Sequence, residues 1–216
     1  MTSGEVGKDL LRPVPICPLT PTERRLLAVL CNPPLGAAKD TTSWRNLEVL
    51  AGVLHADSVD IANLIEEPTR STRDLFHVAG KVDLETLTFR LKVAAQSADV
   101  VVAGWGVGAP AGWRKHEWLA LIEAAVRGLA AGGHDRVAHV GRSPRHPSRW
   151  RQHTSPIHDR YAGATFELRL AAALRWSPIE STAATDKRVP TGPGEPEASR
   201  ARPDQHPPAH ALDMLL

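Results

Sequence analysis

Four short apolar runs, RRLLAVLC (24–31), SVDIANLI (58–65), DVVVAGW (99–105) and RVAHV (136–140), alternate with segments whose apolar residues recur at helical spacing. Runs this short and this rich in aliphatic residues suit strands buried on both faces. Trp44, Leu47, Leu50, Ala51 and Leu54 mark a helix over 43–55, and Leu84, Leu87, Leu91, Ala94, Ala95 and Ala98 mark another over 83–97. Trp118, Leu121, Ile122, Ala125, Val126 and Leu129 give a third over 114–130, stopped by Gly132-Gly133. A last helix is expected over 162–175. Trp118 and Trp176 fall at helix-core spacing and read as packing residues. Alternation of this kind demands right-handed crossovers and a parallel sheet. The expected fold is α/β, a three-layer αβα sandwich around a four-stranded parallel sheet.

That domain does not fill the 216 residues. From Ser177 onward the chain has seven prolines, no aromatic residue and few aliphatics before its last six positions. Such a segment buries too little apolar surface to offset the entropy of ordering it, so 177–216 reads as a disordered tail. Residues 1–22, with prolines at 13, 15, 18 and 21, read as a loosely ordered leader. The folded domain is then 23–176. No stretch approaches the roughly 18 apolar residues of a membrane span, and the leader has no signal-peptide pattern, which points to a cytoplasmic protein. Cys17 and Cys31, the only cysteines, make neither a zinc site nor a disulfide framework. No cofactor and no metal is expected.

Ligands of open parallel sheets bind beyond the carboxyl ends of the strands. Asn32-Pro33-Pro34 follows the first strand, Asn63 ends the second, Gly104-Trp105-Gly106 closes the third, and a loop from Arg142 to Arg151 follows the fourth. Asn32 ahead of two prolines suits a turn as well as a ligand contact. Asn63 stands among Ile61, Leu64 and Ile65, where its amide must either satisfy neighbouring backbone or read the edge of a ligand. The GWGVG stretch lacks the third spaced glycine of a phosphate-cradling loop and reads as a tight exit turn.

His146 lies in the most basic stretch of the chain. Residues 142–160 carry five arginines (142, 145, 149, 151, 160) against Asp159, a local charge of +4 in a chain whose total is +2. An arginine-rich loop with Trp150 inside it suits a polyanion, with arginines on phosphates and the ring free to stack; a solvated charged face is the alternative. Trp44, Trp105 and Trp150 fall on or beside the rim, where any one of them could form a stacking wall.

The loop NPPLGAAKDTTSWRN, the strand VDIANL, the strand ADVVVAGWG and the turn SPRHPS together resemble a bacterial and phage family, domain of unknown function 1643, over about 24–150. This chain has Pro34 where that family usually has Ser, Asp40-Thr41-Thr42 for Asp-Pro-Thr, and Arg142-Ser143 before the proline of the turn. More distantly, the layout is similar to the uracil-DNA glycosylase superfamily. That resemblance implies that Asn32 orients water, Asn63 reads the base, His146 stabilises the leaving base and Ser148 contacts phosphate. It also implies that Arg149 and Trp150 wedge into the duplex.

Three functions are compatible with these residues: a DNA glycosylase excising a flipped pyrimidine, a hydrolase of free nucleosides or nucleotides, and a non-catalytic nucleic-acid-binding protein. On the first reading Asn32 and His146 are catalytic, and Asn63 and Trp44 hold the base. Arg142, Arg145, Ser148, Arg149, Trp150 and Arg151 then face DNA. The closing hexamer Ala211–Leu216 resembles sliding-clamp-binding peptides, with Ala211 where Gln is usual, and makes a clamp a candidate partner.

Overall fold

The computed structural model describes residues 23–180 except 70–73, 76–77, 79–80, 111 and 159. The expected leader, most of the expected tail and the closing hexamer lie outside the described residues. Five strands form one sheet in the order β2-β1-β3-β4-β5: β1 is Arg25–Leu30, β2 Ser58–Asn63, β3 Val100–Gly104, β4 Arg136–Val140 and β5 Leu174–Pro178. The first four are parallel, and β5 runs antiparallel to β4. Five helices are described: α1 Thr42–Leu54, α2 Leu84–Gln96, α3 Lys115–Ala131, the single turn α4 Trp150–His153, and α5 Phe166–Ala173.

Strand alternation divides the core into two layers. Leu26, Ala28, Leu30, Val100, Val102, Ala138 and Val140 point to one face, where they meet Leu47 and Leu50 of α1 and Phe166 and Leu170 of α5. Leu27, Val29, Val101, Ala103 and Val137 point to the other, against Leu87 and Leu91 of α2 and Leu121, Ala125 and Leu129 of α3. Both faces of the inner strands are therefore apolar, as a parallel sheet covered on both sides requires. Gly128 permits the close approach of α2 and α3, since a Cβ there would strike the Thr88 carbonyl. No described helix is long and apolar enough to cross a membrane.

The sheet departs from the four-stranded expectation at its far edge. The helix expected over 162–175 ends at Ala173, and the chain turns directly into β5, pairing Leu174 with Val140 and Pro178 with Arg136. This return covers the edge of β4 that a four-stranded sheet would leave open, and an edge strand tolerates Pro178. Trp176 accordingly lies on β5 and is 41% exposed instead of packing in a helix core, whereas Trp118 is buried on α3. The domain also runs past 176: the Ile179 amide donates to the Asp135 carbonyl, and its side chain is buried.

Candidate functional site

The chain leaves β1 for β2 on one side and leaves β3 for β4 on the other, so the strand order switches between β1 and β3. Crevices form beyond the carboxyl ends at such a point. What closes this one is the loop after β4. Gly104, the last residue of β3, has no side chain to hold that loop away: a Cβ there would stand 2.9 Å from Leu30 Cδ2 and 3.1 Å from Pro147 Cδ. Pro147 therefore sits over the end of β3. The Gly106 amide also donates to the Pro144 carbonyl at 2.7 Å, a second tether. His146 is thereby carried across β3 to the ends of β1 and β2.

There it shares a cavity of about 400 Å³ with Asn32 and Asn63. Strand parity accounts for the company they keep. Leu30 pairs with Asn63 in register, and both belong to the set of alternate residues facing α1, as do Ile61 and, one step beyond the strand, Asn32. Leu30, Ile61 and Pro33 supply apolar wall; Thr41, Ser43 and Thr69 add hydroxyls. Among the described residues no carboxylate lines the cavity.

Each of the three side chains has a defined hydrogen-bonding state. Asn32 donates through Nδ2 to the Pro33 carbonyl at 3.1 Å and to Thr69 Oγ1 at 3.2 Å, so both its N–H groups are engaged and Oδ1 is left to accept. The backbone carbonyl of Asn63 accepts from Arg90 Nη2 at 3.1 Å. Its Oδ1 is buried and has no hydrogen-bond partner among the described residues. His146 caps the 3₁₀ turn Pro147–Arg149: Nδ1 accepts from the Ser148 backbone amide at 3.4 Å and lies 3.0 Å from Ser148 Oγ. A backbone N–H can only donate, so Nδ1 is the acceptor and the neutral ring carries its proton on Nε2. Burial, with Arg149 adding to it, pushes this imidazole down to about 4. At neutral pH His146 is thus an uncharged Nε2–H donor.

The turn is fastened by a residue that the helical spacing of 43–55 passes over. Asn46 of α1 is fully buried, donates through Nδ2 to the Pro147 carbonyl at 2.8 Å, and accepts from Arg151 Nε at 3.0 Å. Its place one residue before Leu47 and four before Leu50, on the apolar stripe, is the sequence signal that marks it.

Several expected nucleic-acid contacts are engaged elsewhere. Trp150 is 0% exposed, packs in the layer with α1 and α5, and donates Nε1 to the Arg145 carbonyl at 2.7 Å. It is a core residue and cannot serve as a wedge, because a ring this large on a one-turn helix fills the space between the sheet and α5. Trp105 is buried as well. Trp44 does not line the cavity; its indole donates to Glu48 Oε1 at 2.8 Å one helical turn on. Arg151 is taken up by Asn46 and by the Phe166 ring, 4.2 Å from its guanidinium carbon. Ser148 and Arg149 are exposed beside His146, while Arg142 and Arg145 line a different hollow, on the β4–β5 side of the loop. Cys31 is buried, and burial pushes its thiol up to about 12. Among the described residues no group of three or more His, Cys, Asp or Glu is placed to hold a metal ion.

The family model described as "Protein of unknown function (DUF1643)" matches residues 17–148, more than half of the chain. The chain belongs to the DUF1643 family. The DUF1643 match takes in β1 to β4, all three cavity residues and the His-Pro-Ser turn, and stops before Trp150 and β5. Comparison with curated proteins and with solved structures finds no match.

Proposed function

We propose that the protein hydrolyses the N-glycosidic bond of a pyrimidine nucleotide in DNA, with the base held in the cavity of Asn32, Asn63 and His146. The observation that carries this reading is the buried, unpartnered Oδ1 of Asn63 in the wall of that cavity. A buried acceptor without a partner costs about 1–3 kcal/mol, and a ligand N–H recovers that cost. The primary amide offers one acceptor and a donor pair side by side, the pattern needed to read a pyrimidine edge. The cavity's size and mixed apolar and polar lining suit a small flat ligand.

Cleavage of an N-glycosidic bond develops positive charge on the sugar and negative charge on the departing base. It needs an oriented water and a donor to the base more than a strong nucleophile. Asn32 Oδ1, held by the two N–H bonds on its far side, accepts a hydrogen bond from the attacking water and orients it. His146 Nε2–H donates to the base as it gains charge. Water oxygen bonds to C1′, and the C1′–N bond breaks with its electron pair going to the base. One water proton stays on the new 1′-hydroxyl, and the other is lost to solvent, from which the released base takes a proton. The order of the motifs, Asn-Pro after β1, a strand-ending Asn and His-Pro-Ser after β4, adds the resemblance to the uracil-DNA glycosylase superfamily as support.

A second reading, hydrolysis of a free nucleotide, is favoured by one observation. Trp150 is buried, which leaves Arg149 alone to hold open a duplex, and a free nucleotide needs no wedge. Oligonucleotides carrying a panel of altered pyrimidines, incubated with the protein and then treated with alkali, test the first reading. Strand breaks at the altered base are expected. They should be lost in Asn32→Ala and His146→Ala while DNA affinity is kept. No breaks on any substrate, with the DNA bound, would refute it.

A further inference from the structure

On the other side of the loop from the base cavity lies a hollow of about 580 Å³ lined by four arginines. Arg142, Arg145, Arg160 and Arg175 line it together with His153 and Tyr161. A smaller hollow of about 320 Å³ shares Arg145, Arg160 and His153 with it and adds Arg149 and His158. No carboxylate among the described residues lines either. The four arginines come from the loop after β4, the segment before α5, and β5, so only the folded chain assembles them. Like charges gathered this way repel one another unless an anion sits between them.

The site is built as well as charged. Gly141 is left-handed (φ 84°), and a Cβ on it would collide with His153 Nε2, so the glycine lets His153 close against the end of β4. His153 Nε2 and the Tyr161 hydroxyl share a 3.0 Å hydrogen bond. Arg175 is fixed by donation from Nη1 to the Ala172 and Leu174 carbonyls at 2.9 and 2.8 Å. Arg145 has its backbone pinned by Trp150, and its Nε is buried with no partner among the described residues. The local potential is felt by His153, whose imidazole is held below its ordinary range by burial and by Arg145, Arg160 and His158.

We propose that this hollow binds two or more adjacent phosphate groups, presented either by the phosphate chain of a free nucleotide or by consecutive phosphates of a nucleic-acid strand. Guanidinium forks match phosphate oxygens, and four of them exceed what a single phosphate needs. Arg145 and His146 are consecutive, about 3.8 Å apart at Cα, and line the two cavities on opposite sides of one loop. A ligand with its base in one and its phosphates in the other would straddle that loop. The inference rests on the base-cavity reading for that last step alone.

Binding by the full-length protein is measured for inorganic tripolyphosphate, a deoxynucleoside triphosphate and a single-stranded oligonucleotide, each over a range of salt. Arg142→Ala/Arg160→Ala removes two exposed lining arginines; Arg127→Ala, an exposed arginine on α3, is the comparison. The double variant is expected to lose at least tenfold in affinity and about 1.4 units of salt slope on the oligonucleotide, with Arg127→Ala unchanged. Tripolyphosphate and the triphosphate binding as tightly as the oligonucleotide identifies a free nucleotide; a strong preference for the oligonucleotide identifies a strand. Failure of all three probes to bind, or equal losses in the double variant and Arg127→Ala, overturns the proposal. Asn63→Ala separates the two readings, because it should abolish base release and leave tripolyphosphate binding intact.

Discussion

Replacing Asn46 by leucine should loosen the turn that carries His146, by an amount the hydrogen bonds of Asn46 set. Leucine fills a similar volume, so the change is chiefly the loss of two bonds. The Pro147 carbonyl also accepts from the Trp150 backbone amide, so it keeps one donor and loses one hydrogen bond, at a cost of about 0.5–1.5 kcal/mol. Arg151 is exposed and can turn to water, which adds at most about 1 kcal/mol. A loss near 1–2 kcal/mol follows, read as a fall of about 0.5–1 M in the urea midpoint at an m-value of about 2 kcal/mol/M. Arg151→Ala should cost about 1–3 kcal/mol, because it leaves Oδ1 of the buried Asn46 without its donor. A second readout follows the ring itself. With the turn loosened, the His146 imidazole regains water and should titrate well above about 4, toward its ordinary 6.5, by NMR. An Asn46→Leu protein within about 0.5 kcal/mol of wild type and with His146 still titrating near 4 would refute the fastening role.

Trp150→Ala should cost about 3–5 kcal/mol in thermal or urea melts, as expected for a fully buried tryptophan; intact stability with lost DNA binding would restore the wedge. Gly104→Ala should cost about 1–3 kcal/mol, because the new methyl meets Leu30 and Pro147, and partial loss of base release should accompany it. Acid should destabilise the fold through His146. Neutral in the native state down to about 4 and protonated from about 6.5 when unfolded, it makes the unfolded chain bind more protons, so stability falls as pH drops through that window. The loss at pH 4 is bounded at about 3 kcal/mol. His146→Gln should show a shallower fall between pH 7 and 5, with the remainder coming from His139 and His153, which burial also lowers. Identical pH profiles for variant and wild type would contradict that assignment.

Much of this fold is written locally. The runs around Ala28, Ile61, Val102 and Ala138 are strands because nothing else buries so short an apolar segment on both sides. Asn32 and Asn63 stood out because polar amides at strand ends sit where parallel sheets place ligands. What escaped local reading depends on distant partners. Leu174–Pro178 continues the spacing of a helix, and only the open edge of β4 makes it a strand. Trp150 stands among arginines that suggest solvent, yet its own turn points it inward between the sheet and α5. Asn46 is one polar residue on an apolar stripe, and its partners lie 101 and 105 residues away in the chain. The cationic hollow was visible only in half: Arg142 and Arg145 announce themselves in the loop, while Arg175 reaches it through the strand that sequence pattern assigns to a helix.

The central claim is that the cavity of Asn32, Asn63 and His146 holds a base while its bond to the sugar is cut. Mass spectrometry of the small-molecule fraction, after incubation with oligonucleotides carrying each altered pyrimidine and with the matching free nucleotides, reads that event directly. Free base is expected from at least one oligonucleotide, accompanied by an abasic strand of the complementary mass, and none from Asn63→Ala. Substrate that binds at the cavity and is recovered whole from wild-type protein, across the entire panel, would contradict the account.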